Sequence, residues 1–263
     1  VYGSEDNMTV INMSEFKEEH KVSQLVGSPP GYVGYGEGGV LTEAVRRRPY
    51  SVILLDEMEK AHPGVQDVFY QVFDKGMLRD GEGRDVDFRN TVILMTSNAG
   101  SEMINDLYAD EMTAPRPHAL KDAIWDELLN TFKPAFLGRT TVLPYTPLGR
   151  EQLAEIARLQ LGRVADRIQR HHEAPLSYSD DVIDAIVDRC TESTSGARNI
   201  PRILQQEVLP EMSTRILESL GREQSPRTVT LSIDNGSFSI ELSVDDADPS
   251  KRNSVWTDTP VQA

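Results

Sequence analysis

The 263-residue chain carries 42 acidic residues against 27 lysines and arginines, a formal charge of −15 at neutral pH. Such an acidic surface repels phosphate backbones, so we predict no nucleic-acid partner. No apolar run approaches the length of a bilayer span, which also argues against membrane insertion. The single cysteine, Cys190, excludes an intrachain disulfide and fits a reducing cytoplasm as a buried structural thiol.

The first half of the chain alternates short apolar runs with helical patterns. Strands are predicted at 8–11, 52–55 and 91–96, with a weaker one at 142–143. The run at 52–55 is apolar at every position, as in a strand buried on both faces. Helical stripes follow Pro63 and occupy 120–132. This alternation predicts an α/β fold with a parallel sheet covered by helices on both faces.

From about Pro147 the pattern changes to amphipathic helices, predicted around 153–168, 182–187 and 203–216, the last kinked by Pro210. Alternating apolar and polar residues then flank Asn235 and Gly236, which is typical of a β-hairpin. We therefore predict a larger α/β subdomain over 1–145 and a smaller α+β subdomain over 146–244. The polar residues 245–263 are expected to form a flexible tail.

Polar side chains follow two of the predicted strands. Asp56 and Glu57 end the run at 52–55, at the carboxyl end of a parallel strand, where ligands gather in such sheets. One acid there can hold Mg²⁺ through water, and a second can orient or deprotonate an attacking water. Asn98 ends the next strand, where its amide can position the same water. The alternatives are an acidic turn and an ordinary strand-terminal turn.

A glycine- and proline-rich segment at 27–39 displays Tyr32 and Val33. It does not match a Walker A phosphate-binding loop, because no Gly-Lys pair occurs in the chain. We interpret it as a mobile loop, with a plain surface loop as the alternative. A second glycine-containing loop is predicted at 76–88, and the arginines at 46–48 are interpreted as a solvated helix end.

Together these segments resemble the ATPase module of Clp-type AAA+ unfoldases. Asp56 and Glu57 match the Walker B motif, Asn98 the sensor-one position, and Gly-Tyr-Val-Gly at 31–34 the pore loop. The segment 76–88 resembles the secondary pore loop. Pro-Ala-Phe-Leu-Gly-Arg at 134–139 resembles the arginine-finger segment, and Ser-Gly-Ala-Arg at 195–198 the sensor-two motif. The motifs follow the family's order along nearly the whole chain.

The resemblance implies a cytoplasmic hexameric ring that uses ATP and Mg²⁺ to thread polypeptides through its channel. The implied roles are Mg²⁺ binding for Asp56, general base for Glu57, water positioning for Asn98, substrate gripping for Tyr32 and Val33, contact with a neighbouring subunit's ATP for Arg139, and contact with its own subunit's γ-phosphate for Arg198. For either arginine alone, a surface salt bridge is the alternative.

The resemblance is to the second ATPase module of Clp chaperones, and the ClpV subfamily, which recycles type VI secretion sheaths, matches best. A ClpB-type disaggregase, a nucleic-acid motor and a non-enzymatic assembly or adaptor-docking module are the alternatives. In this family the phosphate-binding loop lies just before the position that matches Val1. We therefore expect a piece of a longer protein that binds ATP weakly and hydrolyses it negligibly by itself. Its sheet should expose apolar surface or be completed by a partner.

Overall fold

A computed structural model describes residues 7–31, 35–36, 38–110, 114–191 and 196–246. The chain divides into two compact units, Val1–Pro147 and Leu148–Ala263. Each unit has its own cluster of buried apolar side chains. No helix in the described ranges is long and apolar enough to cross a bilayer.

The first unit is built on a three-stranded parallel sheet. Strands β1 to β5 span Met8–Asn12, Val52–Asp56, Met77–Arg79, Asp85–Asp87 and Val92–Met95. Helices α1 to α7 span Glu19–Val26, Val40–Arg47, Pro63–Lys75, Ser101–Leu107, Pro117–Ala123, Trp125–Thr131 and Pro134–Leu137. The sheet order is β1-β2-β5, and β3 and β4 form a separate antiparallel hairpin. The predicted strands at 8–11, 52–55 and 91–96 are thus confirmed, and their carboxyl ends meet at one edge.

Only one face of this sheet is covered by the described residues. Ile53 and Leu55 of β2 are fully buried against the helices. On the opposite face, exposure is 42% and 56% for Met8 and Val10 of β1, and 40% and 50% for Val92 and Leu94 of β5. The prediction of burial on both faces is therefore wrong for this part of the chain. These four side chains form an exposed apolar sheet surface in the single chain.

The weaker strand predicted at 142–143 does not form. Leu143 is 72% exposed and Tyr145 86% exposed, in an irregular segment. In the described sheet of this unit β5 is an edge strand, and the segment at 142–143 is not paired with it; an unpaired strand is not stable. The predicted helical stripe at 120–132 is buried as expected, but it is divided into α5 and α6 at Ile124.

In the described part of the second unit, four α-helices and a turn of π-helix pack against a small sheet. Helices α8 to α11 span Arg150–His172, Asp180–Thr191, Asn199–Ile203 and Leu209–Gly221, and the π-helical turn spans Leu204–Val208. Strands β6 to β8 span Leu176–Tyr178, Gln224–Asp234 and Ser237–Asp246. The predicted hairpin is confirmed as β7 and β8, with Asn235 and Gly236 both at positive φ. Strand β6, parallel to β7, was not predicted.

Two further predictions concern single residues of the second unit. Cys190 on α9 is fully buried, and its burial raises the pKa of the thiol, as befits a structural rather than a nucleophilic cysteine. The predicted kink near Pro210 appears as the π-helical turn that precedes it. Because Pro210 has no N–H to donate, the regular helical hydrogen-bond pattern is interrupted there.

Candidate functional site

The end of β2 and the end of β5 are joined through the hydroxyl of Thr96. The parallel register that pairs Leu55 with Met95 places Asp56 beside Thr96. The Thr96 hydroxyl donates a hydrogen bond of 2.5 Å to Oδ1 of Asp56 and accepts one of 3.1 Å from the backbone N–H of Glu57. This contact fixes one carboxylate oxygen of Asp56 at the sheet edge and leaves Oδ2 for another partner.

Glu57 begins the turn after β2 with an unusual backbone conformation. Its φ of 58° and ψ of 50° lie in the left-handed region, which is uncommon for a residue with a side chain. Hydrogen bonds hold it on both sides: its own N–H bonds Thr96, and the N–H of Met58 donates to the Thr96 carbonyl at 2.9 Å. Such strained residues cost about 1–3 kcal/mol and cluster at functional sites. Glu57 is therefore held in place by the neighbouring strand.

Asn98 lies in the same group of polar residues but contacts an acid that sequence reasoning did not single out. Its side-chain Nδ2 is 3.5 Å from Oε1 of Glu59, in the short 3₁₀ turn Met58–Lys60 that follows Glu57. The other oxygen, Oε2 of Glu59, is buried without a hydrogen-bond partner among the described residues. The structure thus brings Asp56, Glu57 and Asn98 to one edge of the sheet, with Thr96 and Glu59 as additional members.

Arg139 is held by residues of α3 and α7 rather than by this group. Its Nε donates to Asp74 at 2.6 Å, Nη2 donates to the Tyr70 hydroxyl at 2.9 Å, and Nη1 donates to the Ala135 carbonyl at 3.0 Å. The guanidinium also lies 4.1 Å from the centroid of the Tyr70 ring. The hydrogen bond with Asp74 raises the pKa of Arg139, and the same bond lowers the pKa of Asp74. Arg139 is thus a fixed cation, one-third exposed at the surface of the first unit.

The remaining predicted residues lie in other parts of the chain. Arg198 is exposed and ends the 3₁₀ turn Gly196–Arg198, in the second unit. Tyr32 and Val33 lie outside the described residues. The base of their loop is described, and it packs against the turn between β3 and β4.

Two family models match the chain in succession. The model described as "AAA domain (Cdc48 subfamily)" matches residues 1–143, more than half of the chain. The model of the C-terminal, D2-small domain of ClpB protein matches residues 148–230. The chain is a Clp-type AAA+ ATPase module. The α/β unit with its parallel sheet and the smaller α+β unit are the two parts that this family predicts.

Curated relatives agree with this assignment. The chain is 56% identical over 222 residues to the AAA+ ATPase ClpV1 of Pseudomonas aeruginosa, covering 83% of this chain and 25% of that protein. It is 55% identical over 217 residues to the chaperone protein ClpB of Yersinia enterocolitica, covering 82% and 24%. The chain thus spans about a quarter of the length of these relatives. Their nearly equal identity places the module in the Clp group without separating ClpV from ClpB.

A solved structure shares the fold of the Clp-type module. It is a closed-state cryo-electron microscopy reconstruction of Hsp104 with ATPγS and FITC casein. The TM-score is 0.75 at 30% identity, and the match covers 92% of this chain and 41% of that chain.

Several contacts of the module were missed by sequence reasoning. Thr96 was seen only as part of a strand end, although its position one strand along from Asp56 was a usable signal. Glu59 had a weaker signal, an acid two residues beyond Glu57. Asp74 and Tyr70 had none, because their contact with Arg139 joins residues 65 and 69 positions apart.

Proposed function

We propose that the longer protein containing this module is a hexameric ring ATPase that unfolds or remodels polypeptides, with type VI secretion sheath proteins as its substrate. The observation that carries the proposal is the hydrogen-bonded edge formed by Asp56, Thr96 and Glu57. Two carboxylates at the carboxyl end of the parallel strand β2, one of them on a strained turn, suit phosphoryl transfer to water. The Clp family membership supports the same reaction class.

The donor chemistry at this edge fits Mg²⁺. Among the described residues, no group of three or more His, Cys, Asp and Glu could hold a metal ion by itself. Mg²⁺ is usually held by one or two carboxylates together with phosphates and water, so a single Asp56 suffices when nucleotide is bound. Bound Mg²⁺ would supply charge neutralisation for the phosphates of ATP.

Each remaining residue then has a distinct task. Glu57 accepts a proton from the attacking water, and the amide of Asn98 orients that water. Arg198 touches the γ-phosphate bound to its own subunit. Thr96 keeps Asp56 and Glu57 in register by bonding both at once.

Arg139 serves the neighbouring subunit in this proposal. Its contacts are to Asp74, Tyr70 and Ala135, which hold a permanent cation at a partly exposed position. A cation fixed in this way is suited to reach a phosphate bound by another copy, where such an arginine is worth roughly 10³–10⁵ in turnover. A homo-hexamer supplies that second copy.

Tyr32 and Val33 are assigned to gripping the polypeptide in the channel. The support is their sequence context between glycines, since they lie outside the described residues. Apolar contact tolerates many sequences, as a translocating enzyme requires.

Two substitutions in the full-length protein test the proposal. Glu57→Gln is expected to bind ATP but to lose turnover, while Glu102→Gln, an exposed acid on α4, retains it. Tyr32→Ala is expected to keep basal ATP hydrolysis and lose substrate unfolding, with the exposed Tyr50→Ala as control. Unchanged turnover in Glu57→Gln would remove Glu57 from the mechanism, and full unfolding by Tyr32→Ala would remove the gripping role.

A ClpB-like disaggregase is the second candidate, favoured by the 55% identity to ClpB of Yersinia enterocolitica. The two candidates differ in substrate. The full-length ATPase should disassemble purified contracted type VI sheaths without restoring heat-aggregated model enzymes. The reverse result would assign the protein to disaggregation.

A further inference from the structure

The two loops assigned to the channel are joined at their bases by an ionic network. We propose that Arg46 and Asp80 are positioning residues that lock the glycine-rich loop at 27–39 to the β3–β4 hairpin, so that both loops change position as one unit. That the two loops face a channel rests on the proposed function. The locking itself rests on the contacts between described residues.

The glycine-rich loop is tightly closed at its base. The buried hydroxyl of Thr42 on α2 lies 3.0 Å from the Val26 carbonyl oxygen and 3.2 Å from that of Gly39, at the two ends of the loop. A Cβ on Gly39 would lie only 2.2 Å from the Val26 carbonyl carbon. The two ends are therefore in backbone contact and cannot separate independently.

The base of the glycine-rich loop is in contact with the turn of the β3–β4 hairpin. A Cβ on Gly81 would lie 2.5 Å from the carbonyl carbon and oxygen of Gly27, so only glycine fits between the two backbones. Gly81 belongs to the turn between β3 and β4, and Gly27 opens the glycine-rich loop. The backbones of the two loops thus touch directly, without intervening side chains.

The carboxylate of Asp80 is buried in the hairpin turn, and its side chain is only 4% exposed. It accepts hydrogen bonds from the backbone N–H of Glu82 at 3.0 Å and of Arg84 at 2.8 Å, and from Nε of Arg84 at 2.9 Å. Burial alone would raise the pKa of Asp80, but hydrogen bonds from Arg84 and Arg46 hold it at about 2. The carboxylate is thus charged and buried within the hairpin turn.

Arg46 completes the link from the other side. It extends from the last turn of α2, pairs with Glu43 on that helix, and forms an ion pair with Oδ2 of Asp80. The prediction of a simple solvated helix end is therefore wrong for Arg46, whose side chain is 33% exposed, because the hairpin brings a buried carboxylate to it. Helix α2 begins where the glycine-rich loop ends, so this ion pair connects the two loops across 34 residues of sequence.

Hydrogen–deuterium exchange on the full-length protein tests the lock without reference to activity. Arg46→Met is compared with Arg47→Met, which removes the same charge from an exposed neighbour on the same helix. We expect about tenfold faster exchange at 27–39 and 76–88 in Arg46→Met only, with helix α3 unchanged. Equal effects of the two variants, no effect, or uniform acceleration that includes α3 would each overturn the proposal.

A second pair of variants distinguishes loss of the lock from a general folding defect. Asp80→Asn keeps the size of the side chain and is compared with Asp87→Asn, an aspartate on β4 whose side chain bonds to Arg89, two residues further on, and to no other described residue. Faster exchange at 27–39 is expected from Asp80→Asn and not from Asp87→Asn, and the opposite pattern contradicts the lock.

The functional readout separates this proposal from the proposed function. Arg46→Met should lower substrate unfolding per ATP at least roughly threefold while ATP turnover stays within about twofold, because the hydrolysis site is untouched. A proportional fall of both would refute a positioning role. If the wild type itself unfolds no substrate, the proposed function fails, while the exchange measurement still decides whether the loops are locked.

Discussion

Replacing the buried amide of Gln66 with leucine should destabilise the first unit. Gln66 on α3 is 5% exposed. Its Nε2 donates to the Thr131 carbonyl at 3.2 Å, and its Oε1 accepts from the Lys133 N–H at 2.9 Å. These bonds hold the chain between α6 and α7, the short helix that precedes Arg139. Gln66→Leu keeps a similar volume and removes both bonds.

The size of the expected destabilisation follows from the two backbone groups that lose their hydrogen-bond partners. An unsatisfied buried backbone group costs about 1–3 kcal/mol. Thr131 is half-buried and Lys133 is exposed, so water recovers part of this loss. We therefore expect destabilisation by about 2 kcal/mol, which for a unit of this size lowers Tm by about 4–8 °C.

Differential scanning calorimetry measures this effect against a matched control. Gln71 lies on the same helix and is exposed, so Gln71→Leu should change stability by less than about 0.5 kcal/mol. Equal Tm shifts in the two variants would refute the argument that Gln66 supports the connection to α7.

Two further predictions concern the acid-containing regions of the first unit. The pKa of Asp80 is lowered from 3.8 to about 2, so its contribution to stability is present above about pH 4 and is lost as the pH falls through 2. The free energy of unfolding should therefore fall less steeply with decreasing pH in Asp80→Asn than in the wild type. The difference in slope should correspond to the uptake of up to about one proton, and equal slopes would contradict this. Thr96→Val removes the hydroxyl that bonds both Asp56 and Glu57, so ATP turnover of the full-length protein should fall roughly tenfold to a hundredfold, while Thr96→Ser retains it. Normal turnover in Thr96→Val would show that this contact does not position the acids.

Much of the fold was predictable because its signals are local. The apolar run at 52–55 and the Asn235 and Gly236 turn depend on residues that are adjacent in sequence. Strand β6 was missed because three residues are too few for a clear strand signal, and its stability comes from pairing with β7, more than fifty positions away. The strand prediction at 142–143 was wrong for the converse reason. The residues favour a strand locally, but they do not pair with any of the described strands.

At the candidate site, the local pattern of residues was enough to indicate which chemical groups follow the strands. It indicated Asp56, Glu57 and Asn98 because polar residues directly after buried strands are visible in the pattern. Their catalytic roles, and those of Arg139 and Arg198, stay predictions.

Which of these groups touch one another depends on the folded structure. Thr96 reaches Asp56 across 40 residues, and Arg46 reaches Asp80 across 34. Such contacts depend on strand register and on how loops close, which no local pattern encodes. For that reason the sequence indicated an acidic strand end and two glycine-rich loops, while folding joined the acids through a hydroxyl and the loops through the ion pair of Arg46 with the buried Asp80.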